Sequence, residues 1–241
     1  MSTSIELFPR PLQDEVVDYS SESTVGVEAG RSEQSWNEDF AREQIHNLVR
    51  QLFVPGWPKP LRQVVFSPVD SGTDVLSICI RVGDALAEQA AGSCCVAETC
   101  PLQQEQILAE GCSAHSIQKQ FGTLRDSAEQ LSSNLWFMSG EVFQQGHHGP
   151  MSALWLRARL AELRLEFDYT VFQGPVVSGD TAAAMLGGLC DGLVLVLAAN
   201  STRRLAAQKA KETLSCANSR LLGVVLSERT FPIPASIYQR L

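Results

Sequence analysis

The sequence predicts an α/β protein built on a doubly wound, mostly parallel sheet with helices on both faces, a three-layer sandwich. Three observations carry that prediction. Short, nearly continuous apolar runs recur along the chain, as expected of strands buried on both faces. Segments with helical period separate these runs, so each pair of strands has a crossover helix available. The first run ends in a small polar turn, Ser67 to Asp74, directly ahead of a helix, where a sheet of this kind keeps its ligand site.

Residues 1–36 are rich in Ser, Glu and Val, show no sustained period and carry Pro9 and Pro11. They read as an acidic, disordered tail, leaving residues 37–241 as a single domain. A helix is expected from Asn37, because Ile45, Leu48, Val49 and Leu52 form one apolar stripe opposite Glu43, Asn47 and Arg50. That helix either packs on its own domain or contacts another subunit, and Pro55-Gly56-Trp57-Pro58 ends it. Gln63 to Phe66 is the first buried strand. Val75 to Ala90 follows as a helix with Ile78, Val82, Ala85 and Leu86 on one side, and Gly92 closes it. Cys94 to Ala97 is the second strand, and residues 99–133 are polar and rich in loops. Asn134 to Met138 is the third strand, followed by a loop with His147 and His148. Met151 to Arg164 is a helix whose buried face is Leu156, Leu160 and Leu163. Tyr169 to Phe172 is the fourth strand, Asp180 to Leu189 a helix, and Leu193 to Leu197 the fifth strand. A helix capped by Ser201 runs to about Ala217, and Leu221 to Leu226 is the sixth strand.

Charge and cysteine usage exclude several function classes. The net charge of −8 is concentrated at the start: residues 1–40 hold nine acids against Arg10 and Arg31. The near-neutral remainder lacks the clustered Lys and Arg that phosphate backbones require, so no nucleic-acid partner is expected. The longest apolar run, Gly192 to Ala199, is far shorter than the roughly 20 residues of a membrane span. No basic start followed by an apolar core opens the chain. The expectation is therefore a cytoplasmic protein without direct membrane insertion, brought to the inner face of the membrane only by a partner. Seven cysteines, an odd number without framework spacing, fit reduced thiols. Cys112 and His115, with Cys100 upstream, have no second tight pair, so no metal site is expected.

The turn between Phe66 and Val75 is where a phosphate loop belongs. A working loop reads G-x-x-x-x-G-K-[ST]: backbone N–H groups cradle the phosphates, the Lys neutralises them and the hydroxyl holds magnesium. Aligned on Gly72, with Ser67 opening the turn, the Lys position holds Thr73 and the hydroxyl position holds Asp74. Further landmarks follow in order. They are the strand ending at Glu98, the segment Asn134 to Gly140, the stretch Glu166 to Pro175 with Gln173 at its carboxyl end, and the apolar segments Asp191 to Val196 and Leu222 to Leu226. On these residues the chain, from about residue 40 to the end, resembles the bacterial tyrosine-kinase and capsular-polysaccharide branch of the MinD/ParA-type P-loop ATPases.

The resemblance implies a P-loop NTPase-like, Rossmann-like fold, and it locates departures from the family pattern. Glu98 stands for the second-strand Asp, Gln173 for the Walker B Asp, and Ser227 where relatives have an Asn near the adenine. Tyr238 is the only Tyr near the end, so no tyrosine-rich tail is expected. The nucleotide-site positions Ser67, Gly72, Thr73, Asp74, Glu98, Gln173 and Ser227 are thus expected to form a degenerate site. No catalytic residue, metal or cofactor is expected, with ATP and magnesium possible only if the site still binds them. By resemblance, the function expected is regulation or scaffolding of exopolysaccharide and capsule synthesis and export. The expected partners are further copies of the chain, a membrane-spanning chain-length regulator, or both. Two alternatives stand beside it: a residual ATPase or tyrosine kinase, and a ParA-like positioning factor. His46, His115, His147 and His148 match no triad signature around Ser67 or Ser71. Thr202-Arg203-Arg204 offers either an anion contact or a solvated helix start. Thr230 to Pro234 is an extended apolar segment.

Overall fold

The strand β2 (Gln63–Pro68), buried along its whole length, shows how the sheet divides the core. Val64 and Phe66 point to one layer of helices and Val65 to the other, the period of two that a pleated strand imposes. The computed structural model describes residues 4–6, 26–53, 61–90, 92–99, 123–144, 153–177 and 182–228. The other strands are β1 (Ser4–Glu6), β3 (Cys94–Glu98), β4 (Glu129–Ser132), β5 (Leu135–Met138), β6 (Tyr169–Gln173), β7 (Gly192–Ala198) and β8 (Leu221–Ser227). The helices are α1 (Gly26–Phe53), α2 (Val75–Gln89), α3 (Leu124–Ser127), α4 (Gly140–Phe143), α5 (Ala153–Glu166), α6 (Ala182–Leu189) and α7 (Arg204–Cys216).

The strands form one eight-stranded sheet in the order β1-β8-β7-β2-β6-β3-β5-β4. Every pairing is parallel except β4 with β5. From β2 the chain winds outward one way through β3 to β5, returns to β6, and then winds the other way through β7 to β8. The winding reverses at β2, so β2 is the switch strand of the doubly wound α/β fold. One face is covered by α1 and α2, which bury Ile45, Leu48, Val49, Ile78, Val82 and Leu86 against Val64, Phe66 and Val96. The other is covered by α5, α6 and α7 through Leu156, Leu160, Leu163, Leu186 and Leu214.

Several elements depart from the sequence reading. The first helix begins at Gly26, not Asn37, and Ser4–Glu6 pairs with β8. Part of the stretch read as a disordered tail therefore belongs to elements of the fold, while residues 7–25 lie outside the described residues. The α1 stripe packs on α2, so it faces its own domain. The polar strand β4, exposed along its whole length, is missing from the sequence reading because it lacks any apolar alternation. Ser201 does not cap α7. The helix begins after Arg203, which makes no side-chain cap bond, and Thr202 Oγ1 accepts instead from the Ala198 N–H at 3.0 Å. Pro55 to Pro58, Cys100, Cys112, His115, His147, His148, Thr230 to Pro234 and Tyr238 fall outside the described residues.

The amino ends of the strands are tied by a polar network. Asp191 Oδ2 accepts from the backbone N–H groups of Arg62 and Gln63, each at 2.8 Å, and its Oδ1 accepts from Arg164 at 2.8 Å. Arg164 Nε donates to Gln63 Oε1 at 2.7 Å, and the Gln63 amide donates to the Leu160 carbonyl at 2.9 Å. Gln63 is buried, and each of these polar groups finds a partner, as burial demands. This network sits at the end of the sheet opposite the turn.

Candidate functional site

Backbone bonds shape the turn after β2 from both sides. The Val69 N–H donates to the Val196 carbonyl of β7 at 3.1 Å. On the β6 side, the Gly174 and Val177 N–H groups donate to the Phe66 and Pro68 carbonyls, at 2.8 and 3.0 Å. Thr73 N–H to Asp70 C=O, at 3.4 Å, closes the turn itself. Gly72 lies at its exposed tip, and a β-carbon there would meet open space. Gly174 is the opposite case. A β-carbon would collide with Ser67 Oγ and come within 2.7 Å of Val65 Cγ1, so the chain needs glycine there for close approach.

Three side-chain oxygens of this turn are buried without any hydrogen-bond partner: Ser67 Oγ, Asp70 Oδ2 and Thr73 Oγ1. Three such atoms within seven residues is a concentration that folded proteins reserve for water or a guest. No Lys or Arg lies between Ser67 and Val75.

Asp74 turns its carboxylate inward. It is the N-cap of α2, with φ −76° and ψ 95°, accepting from the Ser77 N–H at 3.2 Å and from the Ser77 hydroxyl at 2.6 Å. A capping carboxylate satisfies an orphan donor of the first turn and places a negative charge at the positive end of the helix dipole. One backbone donor at the start of α2, the Ser77 N–H, is thus met by the chain's own anion. The spacing Asp-x-x-Ser is visible in the sequence, and only reading Asp74 as a replaced magnesium ligand hides its capping role.

The remaining positions line the carboxyl edge of the sheet. Glu98 and Gln173 are register partners across β3 and β6, and Gln173 is in turn opposite Phe66 of β2. Glu98 Oε2 accepts from the Gly140 N–H at 3.1 Å, anchoring α4, whose N-cap is Ser139. The Gln173 carbonyl accepts from the Thr99 N–H and hydroxyl at 3.2 and 2.7 Å. Ser227 is buried, donates to the Leu197 carbonyl at 3.2 Å, and stands in register with Ala198 of β7. The fold therefore gathers Ser67, Gly72, Thr73 and Asp74 into one turn, sets Gln173 and Glu98 beside it along one sheet edge, and puts Ser227 beyond β7. Arg203 and Arg204 begin α7 after β7 and are exposed.

No activated thiol accompanies this edge among the described residues. Burial pushes the Cys94 thiol up to about 12, and burial also raises Cys79, Cys95 and Cys190, with Asp74 adding to the shift at Cys79. These thiols stay protonated and act as small core hydrophobes.

No family model matches the chain. A tyrosine-protein kinase of Bacillus subtilis strain 168, YwqD, is 32% identical over 77 residues, 32% of each chain. CpsD of Streptococcus agalactiae, also a tyrosine-protein kinase, is 36% identical over 62 residues, covering 26% of this chain and 27% of that one. The matches thus span about a third or less of these relatives' length. Among solved structures, the kinase domain of the Escherichia coli tyrosine kinase ETK superposes with a TM-score of 0.64 at 9% identity, over 97% of this chain and 94% of that one. The Aquifex aeolicus cell division protein MinD superposes at 0.50 with 12% identity, over 74% and 72%. The chain resembles the bacterial tyrosine-kinase branch of the MinD/ParA-type P-loop ATPases. In this fold the switch strand is β2, and the turn Ser67 to Asp74 lies at its carboxyl end, directly ahead of α2. Among the described residues, no helix of this tyrosine-kinase-like chain is long and apolar enough to cross a membrane.

Proposed function

We propose that this chain is a non-catalytic member of the tyrosine-kinase-like fold, acting by assembly to regulate or scaffold exopolysaccharide or capsule synthesis and export from the cytoplasmic side. Its partners are further copies of itself, a membrane-spanning chain-length regulator that recruits it to the membrane, or both. The observation that carries the reading is Asp74. Its carboxylate caps α2 through Ser77, at the position where a working loop keeps its magnesium hydroxyl.

Magnitudes support the same conclusion. With Thr73 in the Lys position, one charge-assisted bond to phosphate is lost, roughly 1.5–3 kcal/mol. An ionised Asp about 4 Å from a phosphate charge adds repulsion of up to roughly 4 kcal/mol at an effective dielectric of 20. Together these correspond to about four powers of ten in affinity. The turn does not fit a magnesium–triphosphate, since no Lys or Arg lies between Ser67 and Val75, while Asp70 and Asp74 add negative charge where the phosphates need positive charge.

A second reading, a residual nucleotide-binding ATPase or kinase, is favoured by the open tip at Gly72 and the three orphaned oxygens of the turn. Titration calorimetry with Mg-ATP separates the two. The non-catalytic reading expects no saturable heat at micromolar nucleotide. Saturable binding that disappears in Gly72→Val would reject it in favour of the second.

A further inference from the structure

Helix α5 is apolar on two sides, and its own fold uses only one. Leu156, Leu160 and Leu163 are buried against the sheet. On the opposite side Leu154, Ala158, Ala161 and Leu165 follow at spacings of four, three and four, which is one straight seam on a helix. Leu154 is 81% exposed and Leu165 is 88% exposed, the two most exposed large hydrophobic side chains among the described residues. At 1.5 Å per residue they stand about 16 Å apart, with two alanines between them that allow a second helix to approach closely. A seam of this kind on the surface marks a contact.

We propose that this seam is a twofold contact in which α5 packs in parallel against α5 of a second copy of the chain. The flanking charges select both occupant and orientation. With Leu154 and Ala161 at d positions and Ala158 and Leu165 at a positions, Arg157 falls at g and Glu162 at the following e. In a parallel pair each g residue faces the e residue five positions on in the partner helix. Arg157 of each copy therefore meets Glu162 of the other, twice by symmetry. In an antiparallel pair Arg157 would instead face the g positions of the partner helix, Arg157 and the half-buried Arg164 that is already paired with Asp191, and so would meet no carboxylate. Arg157 is exposed and has no ion pair among the described residues of its own chain. Glu162 is held in place by Arg159 at 3.1 Å through Oε2, which leaves its other oxygen for the second copy. Arg159 is itself anchored, donating from Nε to the Phe143 carbonyl at 2.9 Å. The seam spans fewer than two heptads, so the association is weak. It supplies a surface for the self-assembly proposed above and is independent of whether the turn holds a nucleotide.

Sedimentation velocity on a dilution series of the full chain tests the proposal. The parent should show a reversible monomer–dimer equilibrium. Arg157→Glu and Glu162→Arg should each weaken the dimer about tenfold, because two attractive pairs become repulsive. The double variant Arg157→Glu/Glu162→Arg should return to within a few-fold of the parent, a recovery that misfolding cannot imitate. Orientation is read separately by Ala161→Cys. Under mild oxidation a parallel pair joins the two new thiols at position 161 to each other, whereas an antiparallel pair brings position 161 opposite 158; peptide mapping distinguishes them. A monomer at every concentration, a dimer indifferent to both charge reversals, or no 161–161 cross-link in a dimeric sample would overturn it.

Discussion

Gly174 and Gly72 share a residue type and have opposite surroundings, and that contrast is testable. Gly174 follows β6, and its Cα faces Ser67 Oγ and Val65 Cγ1, so an added methyl has no room. Gly174→Ala should destabilise the protein by about 1–3 kcal/mol through overpacking, read as a lower denaturant midpoint. Gly72→Ala, with open space around it, should leave the midpoint close to the parent. Equal midpoints for the two variants would show that β2 and β6 are not packed as described. At this scale the sequence shows where glycines stand but not which are crowded. Crowding at Gly174 depends on Val65, more than a hundred positions away along the chain.

Helix α2 owes its start to Asp74, and the cap is local enough to be removed alone. Asp74→Ala deletes both bonds to Ser77 and should cost about 0.5–2 kcal/mol in thermal or chemical unfolding, while Asp74→Ser should retain most of the stability. If Asp74→Ala melts with the parent, the carboxylate is not the cap and the argument for a self-satisfied turn fails with it. Long elements with a strong period were legible: α2, α5, β3, β6, β7 and β8 lie within a few residues of the sequence reading. The exceptions have physical causes. Strand β4 has no apolar face, so no alternation announces it, and it exists because β5 offers an open edge. The early start of α1 escapes a reading by period because the stretch from Gly26 to Glu38 has no apolar period of its own.

Across the whole molecule, both ends of the sheet leave some buried polar atoms unpartnered, Thr170 Oγ1 and Ser219 Oγ among those at the amino end, but the amino end also carries fully engaged carboxylates. At the amino end, Asp168 accepts from the Ser93 N–H at 2.9 Å and the Ser93 hydroxyl at 3.0 Å, with Arg62 at 3.9 Å. The bonds from Ser93 lead in holding its carboxyl below the usual carboxylate range, and Arg62 and Arg125 add to them. A depressed folded-state value means the native protein binds fewer protons than the unfolded chain as pH falls. The stabilisation is therefore complete above the unfolded-state value and is lost as pH drops through the folded one. Asp168 is more than half exposed, so the effect is modest and salt-sensitive. Asp168→Asn should flatten the acid limb of a stability–pH curve below about pH 4 while lowering stability at neutral pH. An unchanged acid limb would show that the Ser93 bonds do not form in solution. At the carboxyl end, Ser67, Asp70 and Thr73 keep unpartnered oxygens.

Apolar runs and helical periods depend on neighbours a few residues apart, so the doubly wound class, the apolar strands and the place of the turn along the chain could be read before any folding. Which carboxylate answers to which donor could not. Glu98 is bound to Gly140, and Asp191 to the start of β2. Those assignments arise only when β6 and β7 close on either side of β2, since hydrogen bonds and burial reach a few ångströms in space whatever the distance along the chain.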